Sequence, residues 1–383
     1  MNESDGCRVT VVRTVAIKAF YREVIEVLLN RYEPYIRVKD FLAEHPHLRF
    51  VFLELTNQCN LKCKHCGSKC PSQKEQEQIE TEFLLKAIDE VTAYTHPGDL
   101  MFCITGGEPL LRNDWYVICE HIAAKGFSWG MTTNGTLITP QTIALMKKAK
   151  MQTISVSIDG LKENHEWLRN VKGCFDKAIC AIQLLMNSGV SHCVQVTTVV
   201  NTRNLYELPQ LHRYLKELGV DSWKITATEP IGNAVGQKDL FLSNKQYCDL
   251  LDFVRRTREE SSMEVTYGCS HFLPEEYETS VRGFHFHCGA GTFIASISAQ
   301  GDILACLDIE DREFTKQGNI KVDNFWDVWN ERYQLFRQPR NLSNSKCSSC
   351  FDKDFCRGDS WHTWDFFRQE PKVCLRMVNE RED

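Results

Sequence analysis

Cys59, Cys63 and Cys66 stand as C-x3-C-x2-C within the run T-N-Q-C-N-L-K-C-K-H-C-G-S-K-C, which Cys70 closes. Three thiolates at this spacing can bind three irons of a four-iron, four-sulfur cluster, one thiolate per iron, and leave the fourth iron open to an outside ligand. Four thiolates would close the coordination sphere and make the loop a structural knot. A zinc site would prefer two C-x2-C or C-x4-C pairs that complete a tetrahedron. The spacing favours the cluster and leaves open whether Cys70 joins it.

The chain holds 18 cysteines. Its N-terminus, MNESDGCRVTVVRTVAIKAF, lacks the apolar core and cleavage site of a secretory signal, so thiolate ligands are expected rather than a disulfide framework. Cys7, Cys103, Cys119, Cys174, Cys180, Cys193 and Cys248 lie singly in apolar or helical surroundings and read as small hydrophobes. The rest fall in the opening loop or beyond residue 268, where Cys269, Cys288, Cys306, Cys347, Cys350, Cys356 and Cys374 are found.

These thiols need elements to position them. From residue 51 to about 265, short β-rich runs alternate with segments of helical period, the pattern of βα units around a parallel sheet. Strands are expected at 51–56, 100–105, 128–133, 153–158, 193–200 and 222–227. Leu205, Leu208, Leu211, Leu215 and Leu218 form one stripe along 204–218, a face for the sheet. An amphipathic helix is expected from about Val15 to Arg31, packed on the barrel. Six units are fewer than the eight of a closed barrel, so the fold class is α/β, an open partial barrel with loops at the strand C-termini carrying the chemistry. The polar loops fall there: N-Q-C-N after the first strand, G-G-E-P after the second, N-G-T after the third and D-G after the fourth.

With 383 residues, 43% of them hydrophobic, the chain can bury a large core. A net charge of −6 offers no basic stripe for nucleic acid. No segment is apolar for long enough to span a bilayer. A cytoplasmic protein is expected, without nucleic-acid or membrane partners.

The triple cysteine and G-G-E-P together resemble the radical S-adenosylmethionine enzymes, whose hallmark is C-x3-C-x-aromatic-C after the first strand of a partial (β/α)6 TIM-like barrel. His65 occupies the aromatic position. The resemblance implies that Cys59, Cys63 and Cys66 hold a four-iron, four-sulfur cluster that binds S-adenosylmethionine, and that Gly106, Gly107, Glu108 and Pro109 meet its methionyl amino group. Thr133, Asn134, Ser157 and Asp159 would lie near its ribose and carboxylate, with Asn201 and Glu229 as further polar candidates. It also implies an external electron donor of the flavodoxin or ferredoxin type, and a 5′-deoxyadenosyl radical that abstracts a substrate hydrogen.

Beyond residue 268, C-x12-G-x4-C (Cys288, Gly301, Cys306), C-x2-C-x5-C (Cys347, Cys350, Cys356) and Cys374 resemble the SPASM extension of peptide-modifying radical enzymes, with Ser360 where a further cysteine would stand. One or two auxiliary iron-sulfur clusters are implied. Cys347, Cys350, Cys356 and Cys374 would suffice for the outer one. For Cys288 and Cys306 three readings stand: an inner cluster completed by Cys269 or an open iron, no inner cluster, or one cluster shared with Cys347 and Cys350. Asp308, close after Cys306, is the candidate catalytic carboxylate, and His362 reads as structural. The domains expected are an N-terminal helical extension at 1–48, the barrel at 49–265 and a SPASM-like auxiliary domain at 266–383. The function implied is modification of a ribosomally made peptide or protein. A radical dehydrogenase or maturase acting on a small metabolite or cofactor precursor is the alternative, and a zinc-binding non-enzyme the more distant one.

Overall fold

The alternation of apolar runs and amphipathic segments folds as parallel βα units. The computed structural model describes residues 33–68, 78–268, 271–343 and 346–375. Its first six strands are β1 (Phe50–Glu54), β2 (Met101–Thr105), β3 (Ser128–Thr133), β4 (Thr153–Ser157), β5 (Cys193–Val200) and β6 (Ser222–Ala227). Each pairs in parallel with the next. The ends of β3, β5 and β6 coincide with the expected ones.

Side-chain alternation divides each strand between two environments. In β5, Val194, Val196, Thr198 and Val200 are buried on one face, while Gln195, Thr197 and Val199 are half-buried on the other. Thr197 and Val199 line the barrel interior. The helices cover the outer face. The expected leucine stripe places Leu208, Leu211 and Leu215 fully in the core, but its helix is shorter than the period suggests, running Leu208–Glu217 after a 3-10 turn at Leu205–Glu207.

The sheet continues past the six expected strands. Its order is β10-β9-β8-β1-β2-β3-β4-β5-β6-β7, open at both ends, where β7 is Glu264–Tyr267, β8 Ile294–Ile297, β9 Asp302–Leu304 and β10 Gly318–Asn319. β8 runs parallel to β1, joining Phe50–Leu53 to Ile294–Ile297. Thus the segment that carries Cys288 and Cys306 is hydrogen-bonded directly to the strand that launches the cysteine loop. The remaining cysteine-rich segment adds a small hairpin, Trp364–Asp365 with Glu370–Pro371.

Cys7, Cys70, Cys269 and the expected helix at Val15–Arg31 lie outside the described residues. A helix at 33–44 packs on the C-terminal cysteine-rich segment: Lys39 Nζ donates to Phe355 O at 2.6 Å, and Arg357 Nη2 meets Asp40 Oδ1 at 2.6 Å. Among the described residues no helix is long and apolar enough to cross a membrane.

Candidate active site at the strand C-termini

The loop after β1 brings Cys59, Cys63 and Cys66 together in one apolar cluster with Leu61 and Cys174. Its backbone is held from two sides. Lys64 N donates to Leu168 O at 2.9 Å, while from the loop after β6 Asn233 N donates to Cys66 O at 2.8 Å and Asn233 Nδ2 to Cys63 O at 3.0 Å. This approach requires glycine at Gly232, where φ is +59° and a Cβ would stand 2.0 Å from Cys66 O.

G-G-E-P runs against the same loop. Gly107 N donates to Thr56 O and Glu108 N to Gln58 O, each at 2.7 Å. A Cβ on Gly107 would lie 2.2 Å from Gln58 O, so the second glycine is what permits the contact. Glu108 is fully buried. Its Oε1 accepts from Thr133 Oγ1 and its Oε2 from Asn134 N, each at 2.8 Å. Thr133 and Asn134 are therefore drawn to the strap, and Asn134 Nδ2 also lies 4.0 Å from Cys59 Sγ.

Burial raises the Glu108 carboxyl from 4.5 to about 7, against the opposing bonds from Asn134 and Thr133. A folded value above the unfolded one means that protonation stabilises the fold, fully below the unfolded value and no longer once pH has risen through the folded value. In cluster-free protein, the stability of wild type relative to Glu108→Gln should fall by about 3 kcal/mol between about pH 5 and pH 8. Urea unfolding of both proteins at the two pH values measures this difference. A difference that does not change with pH would contradict it.

Asp159 follows β4 with no exposed surface. Its Oδ2 is 2.6 Å from Arg169 Nε, its Oδ1 accepts from Val199 N at 2.9 Å, and His65 Nε2 lies 3.8 Å away. Arg169 in turn places Nη1 3.6 Å from Cys63 Sγ. Burial opposes its charge, but Asp159 and Cys63 hold the guanidinium above its ordinary value. Arg169 was not singled out from sequence. Its only signal there is a cation among apolar neighbours in W-L-R-N.

Ser157 is half-buried at the end of β4. Asn201 is buried and closes a turn, with its N bonded to Asn204 Oδ1 and its Oδ1 to Arg203 N. Cys119 and Cys174 are buried as expected of small hydrophobes, whereas Cys180 is exposed.

A cavity of about 450 Å³ opens inside the barrel. His65, Gly106 and Glu229 line it beside Cys288, Cys306, Asp308, Ser360 and His362. Asp308 is exposed at the level of Gly67. Ser360 stands in the same wall as Cys288 and Cys306. Separately, Cys347, Cys350, Cys356 and Cys374 all line one small cavity of about 30 Å³ with Phe272, Asp352 and Asp359.

The donor sets suit iron-sulfur groups. Around the first loop, Leu61 N points to Cys59 Sγ at 3.4 Å and Arg169 to Cys63 Sγ, contacts that strengthen a thiolate. Burial pushes the Cys63 thiol up to about 12, and ligation supplies the compensating charge. Buried Nδ1 of His65 and Oδ1 of Asn57 have no partner among the described residues, as expected beside a polar cofactor.

Residues 53–215 match the radical SAM superfamily, and residues 288–351 match SPASM, an iron-sulfur cluster-binding domain. The chain is 28% identical over 330 residues to an AdoMet-dependent heme synthase of Nitratidesulfovibrio vulgaris, covering 82% of this chain and 87% of the relative. It is 29% identical over 315 residues to mycofactocin maturase MftC of Mycolicibacterium smegmatis, covering 80% and 76%. Among solved structures, Streptococcus suis SuiB bound to precursor peptide SuiA aligns with a TM-score of 0.69 at 18% identity, over 94% of this chain and 89% of that one. The anSMEcpe structure with bound AdoMet gives 0.65 at 19%, over 85% and 92%. At these identities the structural likeness establishes the fold. The family matches also set aside the zinc-binding non-enzyme. The chain belongs to the radical SAM superfamily of enzymes and carries a SPASM iron-sulfur cluster-binding domain at its C-terminal end.

Proposed function

We propose that this enzyme modifies a side chain or backbone position in a ribosomally made peptide or protein. The observation that carries the reading is the single cavity shared by the G-G-E-P strap, the cysteine loop's His65 and the SPASM residues Cys288, Cys306 and Asp308. It is large enough for one or two side chains of a longer chain. Similarity to the mycofactocin maturases supports the same substrate class.

When bound, the cluster and S-adenosylmethionine supply a 5′-deoxyadenosyl radical that can take a hydrogen atom from a substrate carbon. The chain's own residues do the rest. Cys59, Cys63 and Cys66 would hold the first cluster, and Cys347, Cys350, Cys356 and Cys374 an auxiliary one. Gly106 and Gly107 let the strap pack directly on the backbone of the cysteine loop, and Glu108 would offer a carboxylate to the cofactor's ammonium. Thr133, Asn134, Ser157 and Asn201 edge the same end of the barrel. Asp159 acts through Arg169 rather than by its own oxygens. Asp308, exposed and lining the cavity, would accept a substrate proton. A flavodoxin- or ferredoxin-like donor would deliver electrons from outside.

The similarity to AdoMet-dependent heme synthases favours a second reading, in which the substrate is a tetrapyrrole or another small metabolite. Anaerobic reconstituted enzyme with dithionite separates the two. A candidate precursor peptide should raise 5′-deoxyadenosine formation by more than about tenfold over background. If peptides leave it unchanged while a tetrapyrrole raises it, the second reading replaces the first.

A further inference from the structure

Glu229 stands just past the end of β6, in the wall of the barrel cavity. Its side chain is 10% exposed, and its two oxygens differ. Oε2 is bonded to His271 Nε2 at 2.7 Å, whereas Oε1 is buried with no partner among the described residues. Behind it, His271 is fully buried, and its Nδ1 meets Asp359 Oδ2 at 2.7 Å. Asp359 Oδ1 accepts from Phe272 N at 2.9 Å. An imidazole with carboxylates on both nitrogens donates twice. Burial opposes that charge, but Glu229 and Asp359 together hold His271 well above the usual imidazole range. One Glu229 oxygen is thereby locked in place, and the other, in a side chain that lines the cavity, is left without a donor among the described residues.

A buried carboxylate oxygen without a donor is destabilising unless a ligand supplies one. The cavity's charges indicate which ligand. Its described lining holds the carboxylates Glu54, Glu229 and Asp308 and a single lysine, Lys224. Lys224 sits within β6, close enough to Cys103 of β2 to influence its thiol, and it leaves Glu229 Oε1 unpartnered. Glu54 already accepts Ala299 N at 2.9 Å on Oε2. Ser296, another residue of the lining, has a buried Oγ that also lacks a partner among the described residues.

We propose that Glu229 is the substrate-anchoring residue of this cavity, and that its free oxygen takes a cationic nitrogen of the substrate, a protonated amine or a guanidinium. His271 and Asp359 are positioning residues: they fix the carboxylate and tie it to the turn that follows Cys356. The proposal rests on the functional reading above in taking this cavity as the substrate site. It adds that the group held there is cationic, which disfavours polycarboxylate metabolites.

Equilibrium titration of the reconstituted protein tests it, using dansylcadaverine, whose amine is protonated at neutral pH, and its neutral N-acetyl derivative, both read by dansyl fluorescence. Wild type should bind the cationic probe about tenfold more tightly than the neutral one. Glu229→Gln, which keeps the shape and a hydrogen bond to His271, should abolish that preference, and Glu229→Asp should retain part of it. Equal binding of the two probes by wild type, or an undiminished preference in Glu229→Gln, would overturn the assignment. If Glu229→Gln does not fold, Lys224→Gln decides. Removing the lysine should tighten dansylcadaverine binding by about twofold or more, and unchanged or weaker binding counts against the proposal. No turnover is read, so failure here leaves the peptide reading standing, and failure of peptide-dependent turnover leaves this one standing.

Discussion

Replacing Cys63 by alanine should lower S-adenosylmethionine cleavage by at least about a thousandfold and remove the iron held at the first loop. The thiol lies at the centre of the cluster formed with Leu61 and Cys174, flanked by Cys59 and Cys66. It is also the sulfur that Arg169 approaches. Losing one sulfur atom from this packing is a small volume change, so the fold should survive the loss of chemistry. Iron and sulfide analysis of reconstituted protein separates the two effects. Alanine at Cys59 or Cys66 should behave in the same way, whereas Cys70→Ala should keep the cluster and much of the activity. Full retention of iron in a Cys59, Cys63, Cys66 triple alanine variant would refute the ligand assignment.

The second large effect is on stability. Arg169→Leu should destabilise cluster-free protein by about 3 to 5 kcal/mol, because it leaves the fully buried Asp159 without its cation. Asp159→Asn strands the guanidinium instead and should also be strongly destabilising. The double substitution removes both charges, so its effect should fall short of the sum of the single ones by about 1 to 3 kcal/mol. Urea unfolding of the four proteins measures the coupling. Strict additivity would mean that each group is held by its other contacts, Val199 N for Asp159 and Cys63 for Arg169.

The cysteine loop and G-G-E-P were legible in the sequence because each is a local device. Three thiolates on one loop and two glycines on one turn keep their meaning whatever the rest of the chain does. The six strands were legible for a related reason: a parallel sheet covered by helices writes short apolar runs at regular intervals. The extra strands were not. β8 owes its place to a partner more than two hundred residues earlier in the chain, and a four-residue run carries no record of such pairing.

The same distinction holds within the site. Asp159 was expected near the cofactor from the family resemblance. In the folded protein both of its oxygens are engaged by Arg169 and Val199. His271 gave no signal, since its two carboxylate partners lie 42 and 88 residues away in the sequence. Ser360 was seen as a departure from a cysteine pattern, but only the fold puts it in one wall with Cys288 and Cys306.

By itself, then, the sequence determined the superfamily, the barrel scaffold and the grouping of three cysteines on the first loop, because spacing along the backbone is enough to specify them. The tertiary structure alone decided which buried charges meet. It set Arg169 against Cys63, locked Glu229 through His271 to Asp359, and left one carboxylate oxygen of a cavity-lining residue without a donor among the described residues. These contacts depend on long-range closure of the sheet and on burial, which sets the strength of every charge inside it.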